Sequence, residues 1–288
     1  MNKLPQFRIR CSAIHKIMAG EVGLSTSQQE RLNDYQQREA GTHPKGLKLT
    51  AKMEVDMAEL QYKQLNPELP EGAKSYCKQW VKETMYKRRE QVKSKYISKG
   101  NDTEEEGFTM MAVNLKLGFV QKNEDFKQDD FIMGTCDLDH EASDTVFDNK
   151  SSWSLDQFPM FETEIPSKDY EAQIQGYCHL WKRKRGAVVY TLNDIPIDQL
   201  GYLMKPWLSD DEKQEEALNL IYTRKAWDAA KSRYFPSAKG IDFIEIPEKD
   251  RVKPFWFDYN PAFIADVQER VMLCRKFIQN LLDNTQSK

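Results

Sequence analysis

The stretch "GTCDLDHEASDTVFDNKSSW" (residues 134–153) places Asp137 at the end of one apolar run, and Asp148 two residues before Lys150 on the next. FIMGTCDLD (131–139) and TVFDNK (145–150) are short and apolar or alternating, and the polar HEASD lies between them. This pattern predicts two strands joined as a hairpin. Strand side chains alternate, so Asp148 and Lys150 face one way and Asn149 the other, while Asp137 shares a face with Thr135 and Met133. Pairing at this length brings Asp137 and Asp148 together near the open end of the hairpin. Two carboxylates in a partly dry place repel unless a cation lies between them. Hard oxygen ligands of this kind suit Mg²⁺ or Mn²⁺, which keep waters and tolerate few protein ligands. A lysine beside such an ion can hold an attacking water or neutralise a phosphate in its transition state. The combination reads as phosphodiester hydrolysis. An Asp–Lys pair on the wet face of an ordinary hairpin fits the same spacing and is worth only about 0–1 kcal/mol.

Working outward, residues 8–19 read as a short first helix with Ser12 as its N-cap. The polar stretch 25–49 carries Gly41, Pro44 and Gly46 and reads as a loop. Helices are expected over 50–65 and 73–99, parted by NPELPEG, and over 101–117 with Glu104, Phe108, Met111 and Leu115 on one inward face. Glu104, Glu105 and Glu106 also read simply as favourable acids of a helix's first turn. After the hairpin, a helix is expected over 168–183 and a buried strand at AVVYTL (187–192). Helices over 209–234 and 260–283 come next, the last with Val267, Val271, Cys274, Ile278 and Leu281 on one face. FIEI (243–246) and FWF (255–257) read as edge strands. The order implies an α/β or α+β domain with a mixed central sheet flanked by helices. The division expected is a core over 1–200 and a mainly helical C-terminal extension over 201–288.

With 288 residues, 40% hydrophobic and 30% charged, the chain can bury a sizeable core and has no stretch apolar enough for a membrane span. MNKLPQFRIRCSAIHKIMAG lacks the apolar run of a secretory signal. Five scattered cysteines, none spaced CxxC, point to free thiols in a reducing compartment and away from a zinc or iron–sulfur cluster. The cytoplasm is the expected location. Net charge is −3, yet residues 74–99 hold nine Lys or Arg against Glu83 and Glu90. That segment is +7 and the remainder −10, as suits one anion-binding side or a solvated helix face. The four histidines are too dispersed for a metal cluster.

The motifs resemble those of the PD-(D/E)xK nuclease superfamily, in its phage lambda-exonuclease, YqaJ and RecB-like branch. Its Gly-x-x-Asp is matched by Gly134–Asp137 and its acid-x-Lys by Asp148–Lys150. Its helical Gly-x-x-x-Glu is matched by Gly100–Glu104, and its later Gln-x-Gln or Gln-x-x-x-Tyr by Gln173, Gln175 and Tyr177 in EAQIQGYCHL. The opening RCSAIHKIMAG is similar to that branch's serine-led first helix. The four motifs keep the family's order over residues 8–180, and the last hundred residues add nothing to the resemblance. Cys136 stands where the strand motif often has proline. The arginine that precedes the first-helix serine falls on Arg10 or Arg8.

The resemblance implies a PD-(D/E)xK, restriction-endonuclease-like core and a Mg²⁺- or Mn²⁺-dependent DNA exonuclease that resects linear double-stranded DNA 5′ to 3′ from its ends. It assigns Asp137, Asp148, the Asn149 backbone carbonyl and Glu104 to the metal, Lys150 to catalysis, and Gln173, Gln175 and Tyr177 to support. It also implies a trimeric ring, a single-strand annealing protein as partner and a bacterial host cell. Candidate DNA contacts are Arg10, Ser12, Arg88, Arg89, Ser151, Ser152, Lys182 and Arg183. Each has a plainer reading: Lys182 and Arg183 as cations completing a helix dipole, Ser151 and Ser152 as caps, Gln173 and Tyr177 as polar contacts beside a core. Trp153 is expected in the core. Other functions open to the same fold are a structure-specific endonuclease, a single-strand nuclease, and a DNA-end-binding module without catalysis.

Overall fold

The computed structural model describes residues 4–90 and 95–286, with side chains from residue 98 in the second stretch. In chain order the elements begin with β1 Ile9–Arg10, α1 Ile14–Met18, α2 Thr26–Glu39, α3 Ala51–Leu65, α4 Glu71–Tyr86, α5 Lys95–Asp102 and α6 Glu104–Asn114. Next come β2 Lys127–Gln128, β3 Ile132–Gly134, β4 Leu138–His140, β5 Thr145–Ser151, α7 Lys168–Trp181 and β6 Arg185–Thr191. The chain closes with α8 Ile197–Leu203, α9 Asp210–Leu218, α10 Arg224–Tyr234, β7 Val252–Asp258 and α11 Pro261–Gln286. It forms two compact units, residues 90–261 and residues 1–89 with 262–288, which cut across the expected division at residue 200. Among the described residues no helix is long and apolar enough to cross a membrane. All five cysteines are free and buried.

In the unit of residues 90–261, four strands lie in the order β4-β5-β6-β7. β5 pairs antiparallel with β4 and parallel with β6, and β6 pairs antiparallel with β7. The sheet is therefore mixed, as expected. A parallel neighbour requires a crossover, and α7 supplies it between β5 and β6. On one face, Met111 of α6 closes over Leu138, Phe147, Ala187 and Val189, with Phe108, Leu115 and Val252 at the margin. On the other face α7 lies so close that a Cβ on Gly186 of β6 would come 2.4 Å from Ile174 Cγ1 and 2.9 Å from Cys178 Sγ. Both neighbours are fully buried. Gly186→Ala is expected to cost about 2–3 kcal/mol, the upper part of the overpacking range, as a lowered urea midpoint with unchanged slope. An unchanged midpoint would mean that α7 yields freely.

A satellite core packs α8 to α10 around Trp227, which stacks on Phe243 at 4.6 Å. Here the expected helix over 209–234 is interrupted at 219–223. Asp194 accepts hydrogen bonds from the Tyr222 and Thr223 backbone N–H groups and from the Thr223 hydroxyl, and so fixes the start of α10. FIEI forms no strand, because Phe243 is drawn into this core. FWF does belong to an edge strand, β7.

In the other unit, the expected loop over 25–49 contains the fourteen-residue α2. Ser25 and Gln28 form a reciprocal capping box at its start, and α2 packs against α3 through Leu32, Met57 and Leu60. The expected first helix is shorter than 8–19. Residues 9–10 are extended, Cys11–Ala13 form a 3₁₀ turn, and Ala13 rather than Ser12 stands at the N-cap of α1. The expected basic helix over 73–99 ends at Tyr86, where Lys87 turns left-handed at φ 50°. Lys93 lies outside the described residues. α11 buries Val267, Val271, Cys274 and Ile278 of the expected face, while Leu281 is half-buried. Its Arg270 donates to the Ile17 carbonyl at 2.8 Å and Arg275 to the Phe7 carbonyl at 3.0 Å.

Candidate active site

The run 131–139 is not one strand. β3 pairs with β2 and β4 with β5, and the chain changes partner across Thr135–Asp137. Asn123 secures that bend: its N–H donates to the Asp137 carbonyl at 2.7 Å and its amide to the Cys136 carbonyl at 2.9 Å. Asp137 thus lies in a bend before β4 and does not share a strand face with Thr135 and Met133. The bend still delivers its carboxyl to β5. The register Leu138↔Phe147 sets Asp137 opposite Asp148, and Asp137 Oδ2 accepts from the Asn149 N–H at 2.6 Å.

Along β5 the alternation holds. Asp148 and Lys150 face α7, and Lys150 Nζ stands 2.6 Å from Asp148 Oδ2. Asp148 is only 3% exposed. Gln173 of α7 donates to Asp148 Oδ1 at 3.2 Å and to the Tyr177 hydroxyl at 2.9 Å. Lys150 Nζ also lies 4.8 Å from the centre of the Tyr170 ring. Tyr170, Gln173 and Tyr177 are spaced i, i+3, i+7, so one face of α7 covers the pair. Tyr170 was not foreseen, although this spacing points to it. Gln175 sits two positions from Gln173, on the other side of the helix. It bonds the Asp258 carbonyl and the Asn260 N–H, each at 2.8 Å, and ties down the end of β7 instead of supporting the acids.

Electrostatics follow from the geometry. Burial, and then the charge of Asp148, push the Asp137 carboxyl up to about 7; the Asn149 N–H and Lys150 oppose this, and Glu104 adds to it. Burial works against the Lys150 ammonium, but the Asp148 charge and hydrogen bond outweigh it, so Lys150 is held above its ordinary value and stays protonated.

Glu104 is less buried than its helix face predicts: its side chain is 46% exposed and pairs with Lys122 at 2.6 Å, although its charge still reaches Asp137. Among the described residues no three His, Cys, Asp or Glu side chains gather as a metal-binding group. The buried Asp148 and the half-buried Asp137, whose carboxyl is pushed up in part by the Asp148 charge, nonetheless fit a hard divalent ion that keeps most of its waters.

Of the expected DNA contacts in this unit, only Lys182 is exposed and unengaged by an ion pair; it closes α7 in a left-handed turn at φ 57°. Arg183 is bound to Asp139 at 2.5 Å and Glu141 at 2.9 Å and serves the β4–β5 hairpin. Ser152 is 5% exposed, too buried to reach a phosphate, and the Ser151 hydroxyl is engaged with Thr103 at 3.0 Å. Arg10, Ser12, Arg88 and Arg89 belong to the other unit, where all four are exposed. Trp153 packs partly buried against the satellite core, as expected.

Behind β5, on the α6 face, lies a polar cluster that sequence reading missed. Thr191 Oγ1 donates to Asn149 Oδ1 at 3.1 Å, and Asn193 Nδ2 reaches Ser151 Oγ at 3.3 Å. α6 approaches here at Gly107, where a Cβ would come 2.6 Å from Asn149 Nδ2 and 2.7 Å from Thr191 Oγ1. Lys99, 1% exposed, donates to the carbonyls of Ser152 at 3.0 Å and Trp153 at 2.8 Å.

No protein-family model matches the sequence, and no curated protein matches it. Among solved structures, the chain is similar to a phage-related exonuclease from Haemophilus somnus 129PT, with 22% identity and a TM-score of 0.65 over 98% of this chain and 97% of that one. It also aligns with an alkaline exonuclease, LHK-Exo, from Laribacter hongkongensis at 9% identity and a TM-score of 0.47, over 97% of this chain and 92% of that one. LHK-Exo in complex with dAMP gives 10% identity at the same TM-score and coverage. The first similarity shows that the chain has the fold of that phage-related exonuclease, in line with the PD-(D/E)xK-type core that the motifs imply.

Proposed function

We propose that this protein is a metal-dependent DNA exonuclease that resects linear double-stranded DNA from its ends. The observation that carries this reading is the pairing of the buried Asp148 with the partly buried Lys150, with Asp137 turned onto the same strand across the hairpin. The phage-related exonuclease of the same fold supports it.

Asp137, Asp148 and the Asn149 backbone carbonyl are the groups that would hold a Mg²⁺ or Mn²⁺ ion. Such an ion, when bound, polarises the scissile phosphate and lowers the pKa of the attacking water. Gln173 fixes Asp148 by its Oδ1 and leaves Oδ2 to Lys150. Asp148 holds the Lys150 ammonium above its ordinary value, so Lys150 would work as a cation that orients the attacking water or stabilises charge on a phosphate oxygen. Glu104, whose charge reaches Asp137, is the further carboxylate of the same proposal. Sequence-independent contacts would come from exposed Lys and Arg, so binding should weaken steeply as salt rises. Polarity 5′ to 3′, a trimeric ring and an annealing partner belong to the same proposal, from the motif resemblance.

End-labelled linear duplex, with and without a 5′-phosphate, and closed circular DNA are incubated with Mg²⁺, Mn²⁺ or EDTA. Metal-dependent loss of the linear DNA alone is expected, with the label released first from the 5′ end. Nicked circles would turn the reading to an endonuclease. Bound but uncut DNA under every metal would turn it to a binding module.

A further inference from the structure

From Asn149 to Trp153, every residue except Lys150 is fastened by groups outside α7. Asn149 is held by Thr191, and Ser151 by Thr103 and Asn193. The Ser152 N–H donates to the Thr191 carbonyl at 2.8 Å, and the carbonyls of Ser152 and Trp153 both end on Lys99 Nζ. Lys99 is joined in turn to Thr103, whose hydroxyl donates to the Lys99 carbonyl at 2.9 Å. The ammonium lies 5.9 Å from the Trp153 ring centre and 5.6 Å from that of Tyr222.

A lysine in this position is costly to keep. Burial pulls its ammonium down to about 8 against the opposing charges of Asp194 and Glu106, and among the described residues no carboxylate reaches ion-pair distance. A methionine would fill the same space without that cost. What methionine cannot do is donate to two consecutive carbonyls just past the end of β5 and fix where that strand stops.

We propose that Lys99, with Thr103, is a positioning residue for Lys150: together they anchor the end of β5 from behind and so set where Lys150 Nζ stands against Asp148. Neither touches the face on which Asp148 and Lys150 lie. The part of this that concerns activity rests on the nuclease reading above; the part that concerns Lys150 does not.

The test uses the full chain as wild type, Lys99→Met, Lys99→Arg and Thr103→Val, with fold checked by near-UV circular dichroism. Two quantities are read: single-turnover cleavage of linear duplex at saturating enzyme, and the Lys150 ammonium signal by ¹⁵N NMR, assigned with Lys150→Arg. Displacing a reacting group by about 1 Å costs on the order of 100-fold, so Lys99→Met should lose about that factor in rate while DNA affinity stays within about three-fold. Lys99→Arg, which keeps donors, should recover most of it, and the Lys150 signal should move in Lys99→Met. Should Lys99→Met not fold, Thr103→Val is read in the same way. A folded Lys99→Met with wild-type rate and an unmoved Lys150 signal overturns the proposal. A moved Lys150 signal in a protein whose wild type cleaves nothing would keep the positioning role and sink the nuclease reading.

Discussion

Lys150→Ala is expected to lower single-turnover cleavage of linear duplex by about 10²–10³-fold, the range seen when one preorganised donor to a developing anion is removed. DNA affinity should change little, since one cation among many phosphate contacts contributes a small part of binding. The same substitution should also weaken the fold. Asp148 is 3% exposed, and without Lys150 the partner it keeps among the described residues is the Gln173 amide. Breaking a buried pair from one side costs about 3–5 kcal/mol, and the 23% exposure of the Lys150 side chain places the effect near or below the lower end. Asp148→Asn combined with Lys150→Met should therefore recover most of the stability and none of the activity. Urea denaturation beside the cleavage assay checks both. A Lys150→Ala protein that still cleaves at the wild-type rate would remove the carrying observation of the proposed function.

Asp137→Asn is expected to stabilise the metal-free protein at pH 8 and to abolish cleavage. The folded-state carboxyl sits at about 7, against an ordinary value of 3.8. Between these values the folded chain holds a proton that the unfolded chain has released, so stability falls as pH rises through the window. The penalty is fully present above about pH 7 and absent below about pH 4. Three units correspond to roughly 4 kcal/mol as a ceiling. The lost charged acceptor for the Asn149 N–H offsets part of it, so a net gain of about 2 kcal/mol is expected at pH 8. No gain is expected at pH 4. Adding Mg²⁺ at pH 8 should raise the wild-type urea midpoint and leave that of Asp137→Asn nearly unmoved. Equal midpoints for the two proteins across pH 4–8 would show that Asp137 carries no such strain.

Asp148, Lys150 and α7 were legible because each arises from a local period. Two residues apart on a strand means one face, and 168–181 repeats at helical spacing. Asp137 was legible as a partner but not as a bend, because Asn123, which secures the bend, comes from a different part of the chain. The loss of Arg183 and Ser152 from the expected DNA contacts has the same origin: Asp139 and Lys99 lie 44 and 53 residues away from them. Other errors were local. Ser25 and Gln28 carry the spacing of a capping box, which outweighs the polar composition of the helix it opens. The basic run gave no stop at Tyr86, because Lys and Arg are good helix formers and no glycine or proline marks the left-handed turn at Lys87.

The division of the chain also bears on its synthesis. Residues 90–261 are contiguous, and this unit is complete once β7 has left the ribosome. The other unit is not: residues 1–89 are made before residues 90–261, and their remaining partner, 262–288, is made after them. Until Arg270 and Arg275 emerge, the carbonyls of Ile17 and Phe7 lack the side chains that bind them. Residues 1–89 are thus obliged to wait for a segment translated after the whole of the other unit, and a nascent chain released before residue 262 would carry Asp137, Asp148 and Lys150 but lack the helix that completes the unit of residues 1–89.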